Sequence, residues 1–303
     1  MKITPLTRWL TTLGLLAGLL LLLDPRELAS QINTLAPQWL LLALLISVCQ
    51  TALSAWRWRF TAGLLGLELS PGRALAEYYL AAFVNQTLPG GVLGDAWRAQ
   101  RHAKRSGQTG IAWRAVIVER ASGQIVIAVL GVAVLFSFGT WPSSGWRSFF
   151  FSLAGFLIFG ILLWMTWHQI RRPAAWLHAL FSDARRALFS AEAWPAQLLS
   201  SLLIVLSYLL VFALGALGLG IQLPVWQLMM MALPVLLSML IPLSVAGWGV
   251  REGAAGLVWL SVGLSAEQGV AASLAYGVLV LLASLPGALV LGLPGSAQAH
   301  IDQ

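Results

Sequence analysis

The chain has one cysteine in 303 residues, and only 10% of its residues are charged. That lone thiol, Cys49 inside an apolar run, excludes an intramolecular disulfide and a cysteine-built metal site. The four histidines, His102, His168, His178 and His300, lie in loops or at segment ends without ligand spacing, which argues against metalloenzyme chemistry, and no motif asks for a cofactor. Soluble domains carry about 25% charged residues, so the scarcity of charge excludes an ordinary water-soluble fold. Acidic residues are the shorter side: 11 Asp+Glu face 18 Lys+Arg. Nucleic acid is one partner such an excess suggests, but the Lys/Arg enrichment of cytoplasmic loops in membrane proteins accounts for it without one. No polar stretch is long enough for a soluble catalytic domain.

What the chain has in abundance is hydrocarbon: 59% of its residues are hydrophobic and 15 are Trp. Six apolar segments approach the length needed to cross ~30 Å of lipid: Trp9–Leu23, Trp39–Trp56, Ala115–Gly139, Ser148–Trp167, Leu198–Gly218 and Gly269–Leu293. Trp9, Trp39, Trp56, Trp58, Trp113, Trp141, Trp146, Trp164 and Trp167 cluster near their ends, as an interfacial belt does. The first segment follows Lys2 and Arg8 and has no small-residue cleavage pattern behind it, so it reads as an uncleaved signal-anchor.

Two further apolar stretches, Ala74–Trp97 and Val225–Leu260, carry the same pattern. Leu88-Pro89-x4-Gly94-x3-Arg98 recurs as Ile241-Pro242-x4-Gly247-x3-Arg251, 153 residues later and close to half the chain. Proline, glycine and arginine are all costly inside an apolar helix, and a mid-membrane Arg costs roughly 2.5–3.5 kcal/mol. Arg57, Arg59 and Arg73 precede the first stretch, and Arg98, Arg101, Lys104, Arg105 and Arg114 follow it. A crossing would put one cluster outside; a re-entrant hairpin turning near Pro89-Gly90-Gly91 keeps both inside. Only Arg26 and Arg147 are then external, Arg120 and Arg251 lie within membrane segments, and both termini are cytoplasmic. The second hairpin enters from outside. The expected architecture is thus an all-α integral membrane protein, one domain over 1–303. Six spanning helices and two re-entrant hairpins form an inverted-topology repeat with halves 1–145 and 146–303. An interfacial helix at about 170–195, rich in arginine, joins them.

The repeated motif supplies the candidate site. A broken helix exposes N–H groups, and with an arginine it suits a phosphate. In the first hairpin the candidates are Asn85, Pro89, Gly94, Asp95 and Arg98, with an Asp95–Arg98 pair at the interface as the plainer alternative. In the second they are Pro242, Gly247, Gly249, Arg251 and Glu252. Arg251 has no basic loop to excuse it, and as chain neighbours Arg251 and Glu252 are expected to face different partners. Glu119 and Arg120 pair either at the interface or, through Glu119, with Arg98 or Arg251 in the interior; Glu77 is as readily exposed as buried. The Gly215–Gly218 and Gly287–Gly292 stretches read as close helix packing.

The motifs Asn85-x2-Leu-Pro-Gly-Gly-x2-Gly-Asp-x2-Arg98, Glu119-Arg120 and Pro242-Leu-Ser-Val-Ala-Gly-Trp-Gly-Val-Arg-Glu-Gly253 resemble the flippase-like family of lysylphosphatidylglycerol synthase transmembrane regions. The resemblance spans essentially the whole chain but includes no aminoacyl-transferase domain, so lysyl transfer is not implied. It implies translocation of a polar-headed anionic lipid, a phospholipid or a polyprenyl-phosphate-linked species, across a bacterial inner membrane. The residues named above would line the path. The protein then is not an enzyme. A non-transporting scaffold for a glycosyltransferase or lipid-modifying enzyme is the alternative.

Overall fold

A computed structural model describes residues 10, 12–14, 17–18, 36–88, 91–137, 174–239 and 245–292, and the architecture below concerns these. Most of the Trp9–Leu23 segment, all of Ser148–Trp167, and both motif prolines, Pro89 and Pro242, lie outside them.

The described residues are helical: α1 (Pro37–Leu64), α2 (Pro71–Thr87), α3 (Leu93–Ser106), α4 (Thr109–Ser137), α5 (Ala174–Phe189), α6 (Trp194–Gly218), α7 (Val225–Ser238), α8 (Val250–Ser261), α9 (Ala266–Ser284) and α10 (Pro286–Gly292). Proline opens α1 and α2 and sits in the first turn of α6, where its missing N–H leaves no bond unmade. The α1, α6 and α9–α10 helices are long and apolar enough to cross a bilayer. Leu41 and Leu45 of α1 and Leu199 of α6 face outward with more than half of their surface uncovered, as lipid-facing positions do.

Both apolar stretches that carry the repeated motif are broken into pairs of short helices. In the first, Asn85 bonds Asp95, Ala81 lies against Gly94, and Glu77 meets Arg101. Partner numbers fall on one side as they rise on the other, so α2 and α3 form an antiparallel hairpin. Its tight point is Gly94, where a Cβ would run into the Ala81 carbonyl.

The order of elements repeats. A long helix, two short ones and another long helix (α1–α4) recur as α6–α9, with equivalent neighbours packed together in each set. The sets join most extensively through α1 against α6. The second arms start at Leu93 and Val250, 157 residues apart, whereas the sequence motif repeats at 153. The motifs are therefore out of step with the helices by about one turn. Gly94 is already helical, while Gly247 precedes α8 with φ 81°. Gly249 (φ 85°) is the helix cap, in a positive-φ state that residues with a side chain rarely adopt. The structural counterpart of Asp95, third residue of α3, is Glu252, third residue of α8.

A helix, α5, falls within the region at about 170–195 where a linking helix is expected, and is tied to α4 by the Arg114–Asp183 ion pair at 2.6 Å. Two sequence expectations are corrected and one left open is decided. Arg57 is no loop cation but is buried within α1; Trp58 belongs to the core rather than the belt; and Glu77 is buried, held by Arg101 and Arg105 at 2.8 Å each. The first two share one cause: α1 continues to Leu64, a full two turns past the apolar segment, and carries Arg57 and Trp58 into the bundle. The packing predicts that Gly94→Ala forces the hairpin arms apart. Thermal unfolding in detergent should show a loss of about 1–3 kcal/mol, the usual range for overpacking.

Candidate functional site

The first hairpin carries a chain of buried ion pairs. Arg98, 1% exposed, reaches Asp95 at 2.9 Å and Glu119 at 2.6 Å. The other oxygen of Glu119 accepts from Arg57 at 2.6 Å and from the Tyr78 hydroxyl at 3.4 Å. Asp95 in turn holds Arg120 at 2.5 Å and accepts from Asn85 at 3.1 Å. Asn85 also accepts from the Gly94 backbone N–H at 2.8 Å, tying the two arms together. Asp95 sits in the first turn of α3, where helix N–H groups favour a negative charge. Arg98 is further enclosed by aromatic faces, with Trp58 at 4.6 Å and Tyr78 at 4.7 Å. Three guanidinium groups thus share two carboxylates, leaving one positive charge in surplus.

The second hairpin is built differently. Arg251 and Glu252, both fully buried, pair with each other at 2.7 Å. This overturns the expectation of separate partners. Their shared anchor is the Ser273 hydroxyl, which donates to Glu252 and accepts from Arg251, at 3.0 Å each. The second Glu252 oxygen takes the Gly249 N–H at 2.6 Å, so one acid caps α8 and neutralises its neighbour. Long side chains on adjacent residues can curl toward one anchor when a third group fixes both. Arg251 lies over Trp248 at 4.8 Å and Tyr276 at 5.3 Å. Room for it exists because Gly277 has no side chain; a Cβ there would strike the Arg251 guanidinium.

Between the hairpins lies a cavity of about 1270 Å³. Its wall includes Asn85 and Asp95 from the first hairpin, Ala246 and Gly247 from the second, and Arg120 from α4. Asp95 and Arg120 are the charged groups among its described lining residues. Arg120 is the cation that reaches the opening, with 40% of its side chain exposed. Arg98 and Arg251 stand one layer back. Each lies over the ring of a tyrosine, Tyr78 or Tyr276, that itself faces the cavity. At the far side, Val245 donates its N–H to Thr12 at 2.9 Å, so the start of the chain braces the second hairpin.

A family model described as the lysylphosphatidylglycerol synthase TM region matches residues 9–287. The chain belongs to this family. No curated protein and no solved structure matches it. Membership, together with the apolar helices, makes it a multi-pass membrane protein of a family associated with lipid-related processes.

Of the motif residues, Asn85, Gly94, Asp95, Arg98, Glu119 and Arg120 form one connected cluster, and Gly249, Arg251 and Glu252 form another. Gly247 lines the cavity between them. Glu119 does reach Arg98, in the interior. Arg57, Tyr78, Ser273, Tyr276 and Gly277 carry no motif signal, and only the fold brings them in. Arg57 could have been suspected from its position inside an apolar helix rather than after it.

Removing one member of a buried pair strands the other. Glu119→Gln leaves Arg57 and Arg98 short of countercharge and is expected to cost about 3–5 kcal/mol. Arg120→Gln leaves Asp95 with Arg98 and Asn85 and is expected to cost about 1 kcal/mol. Unfolding midpoints of the two purified variants against the parent chain check this order.

Proposed function

We propose that the protein transfers an anionic, polar-headed lipid between the leaflets of a bacterial inner membrane, by binding and release without covalent chemistry. The cavity between the two hairpins carries this reading. It lies amid apolar helices, yet its wall presents a guanidinium from a cluster that holds one positive charge more than its two acids balance. Acyl or prenyl tails would remain in lipid while the headgroup crosses against Arg120. Asp95 orients Arg120; Arg98 and Arg251 hold the two hairpins in shape from behind their tyrosines.

The same reading has six crossings, two opposed re-entrant hairpins related by inverted topology, and both termini in the cytoplasm. The recurring order of elements supports it, as does the distribution of Lys and Arg. In a Cys49→Ser background, an impermeant maleimide applied to spheroplasts should label Gln222→Cys, in the exposed α6–α7 turn, and spare Lys104→Cys. Labelling of both from one side would remove the opposed arrangement.

In proteoliposomes, the parent chain should accelerate leaflet exchange of a fluorescent anionic phospholipid. Arg120→Gln should reduce it at least tenfold, and Arg120→Lys should restore part of it. Exchange no faster than in protein-free liposomes would favour the scaffold reading, with a glycosyltransferase or lipid-modifying enzyme as the partner. Full exchange by folded Arg120→Gln would withdraw Arg120 from the path.

A further inference from the structure

Asp95 holds two cations at the cavity wall, and it holds them unequally. Its Oδ1 accepts from Nε of Arg98 at 2.9 Å, while its Oδ2 lies 2.5 Å from Nη2 of Arg120. Arg98 is 1% exposed and is bound as well to the fully buried Glu119, so parting it from either acid would strand charge away from water. Arg120 has 40% of its side chain exposed and lines the cavity, and exposed pairs of this kind are weak because solvent or another ion replaces the partner. Among the described residues Arg120 makes an ion pair with Asp95 alone.

Releasing Arg120 does not strand the acid. Asp95 keeps Arg98, keeps the Asn85 amide at 3.1 Å, and keeps its place in the first turn of α3, where helix N–H groups favour a negative charge. Asn85 is itself fixed by the Gly94 N–H at 2.8 Å, so this refuge exists with or without Arg120. A phosphate can meet a guanidinium through two parallel bonds, which makes it the stronger partner; the carboxylate is weaker but tethered, and so never leaves the site. The charge count agrees. Arg57, Arg98 and Arg120 against Asp95 and Glu119 leave one positive charge, and one monoanion makes the set neutral. The second hairpin offers no such exchange: Glu252 is locked onto Arg251, Ser273 and the Gly249 N–H, and neither charge of that pair lines the cavity.

On the reading that the cavity receives an anionic headgroup, we propose that Asp95 is a resident counter-ion: the incoming anion displaces it from Arg120, and its return to Arg120 expels the anion. Asp95 is then a positioning residue that acts through Arg120 and does not touch the lipid. The carboxylate thereby holds affinity down and speeds release, as transfer by binding and release requires. A site with Arg120 uncontested would hold the headgroup and turn over slowly.

The test uses the full-length protein and phosphatidylglycerol, a phosphodiester whose single charge is constant near neutral pH. Binding is read in detergent micelles with a fluorescent-tailed phosphatidylglycerol, and leaflet exchange in proteoliposomes with the same lipid. Asp95→Asn should bind about three- to fivefold tighter, the fold-change to which an exposed ion pair corresponds, and should exchange lipid slower by a similar factor. A merely loosened fold would weaken binding instead. Asp95→Glu, which keeps the carboxylate, should return both values toward the parent. Should Asp95→Asn fail to fold, the parent chain answers directly. Infrared difference spectra of protein carrying isotope-labelled aspartate should show a shifted carboxylate band on lipid binding, since Asp95 is the aspartate among the described residues of the cavity wall. Three results would overturn the proposal: weaker or equal binding by folded Asp95→Asn, exchange as fast as that of an active parent, or an aspartate band unmoved by lipid. Any of these beside lipid exchange by the parent keeps transport and sinks the counter-ion. Tighter Asp95→Asn binding and a shifted band, in a chain that exchanges no lipid, keep the counter-ion and sink transport.

Discussion

Charge buried in an apolar bundle is the constraint on which this structure turns. Arg57, Arg98 and Arg120 share Glu119 and Asp95, and the helices that carry them must meet for any of these groups to be satisfied. Lining up α1, α3 and α4 is therefore a condition of keeping the charges at all, since an unpaired guanidinium away from water is far costlier than the pair. The aromatic faces of Trp58 and Tyr78 enclose what the carboxylates leave open on Arg98, an arrangement that contributes up to about 2 kcal/mol when desolvated. One cation more than the acids can absorb is then displaced to the place where an incoming group could meet it. That place is the cavity wall at Arg120.

The two halves solve the same local problem with different chemistry. Both second arms carry an acid at their third residue, where the helix N-terminus favours it. In the first half that acid is shared with Arg98 and Arg120; in the second, Glu252 is consumed by its neighbour and its own helix cap. The twelfth residue of the following helix shows the divergence most plainly. It is Arg120 in α4 and Gly277 in α9, and the space Gly277 vacates is filled by the Arg251 guanidinium. The buried pair of the second hairpin is thereby neutral. A surplus charge on one side alone gives the cavity polarity, a basic wall facing a neutral one.

The repeated motif was legible because proline, glycine and arginine are expensive where they stand, and expense in an apolar context marks purpose. Its spacing led to residues that the structure gathers into two buried clusters, and to a register about one turn off. Residues align by chemistry in sequence and by helix start in space, and the positive-φ turn at Gly247 and Gly249 holds back the start of α8. Pairing of Arg98 with Glu119 was one of several options the sequence left open; pairing of Arg251 with Glu252 ran against the rule that chain neighbours diverge on a helix. That rule describes the directions of Cβ, not where long side chains end once Ser273 anchors them both.

The sequence by itself determined that this chain is a helical membrane protein with two costly interruptions half its length apart. Composition and local backbone preference act on each segment alone, and no partner is needed to read them. Which cation faces the cavity was decided by tertiary structure. Arg98 and Arg251 look most exceptional in the sequence yet are neutralised behind Tyr78 and Tyr276, while Arg120, unremarkable beside Glu119, reaches the opening. The physical reason is that the net charge of a site is a property of every group within a few ångströms. Helices distant in sequence, α1 with Arg57 and α9 with Ser273, supply groups that no local pattern could assign.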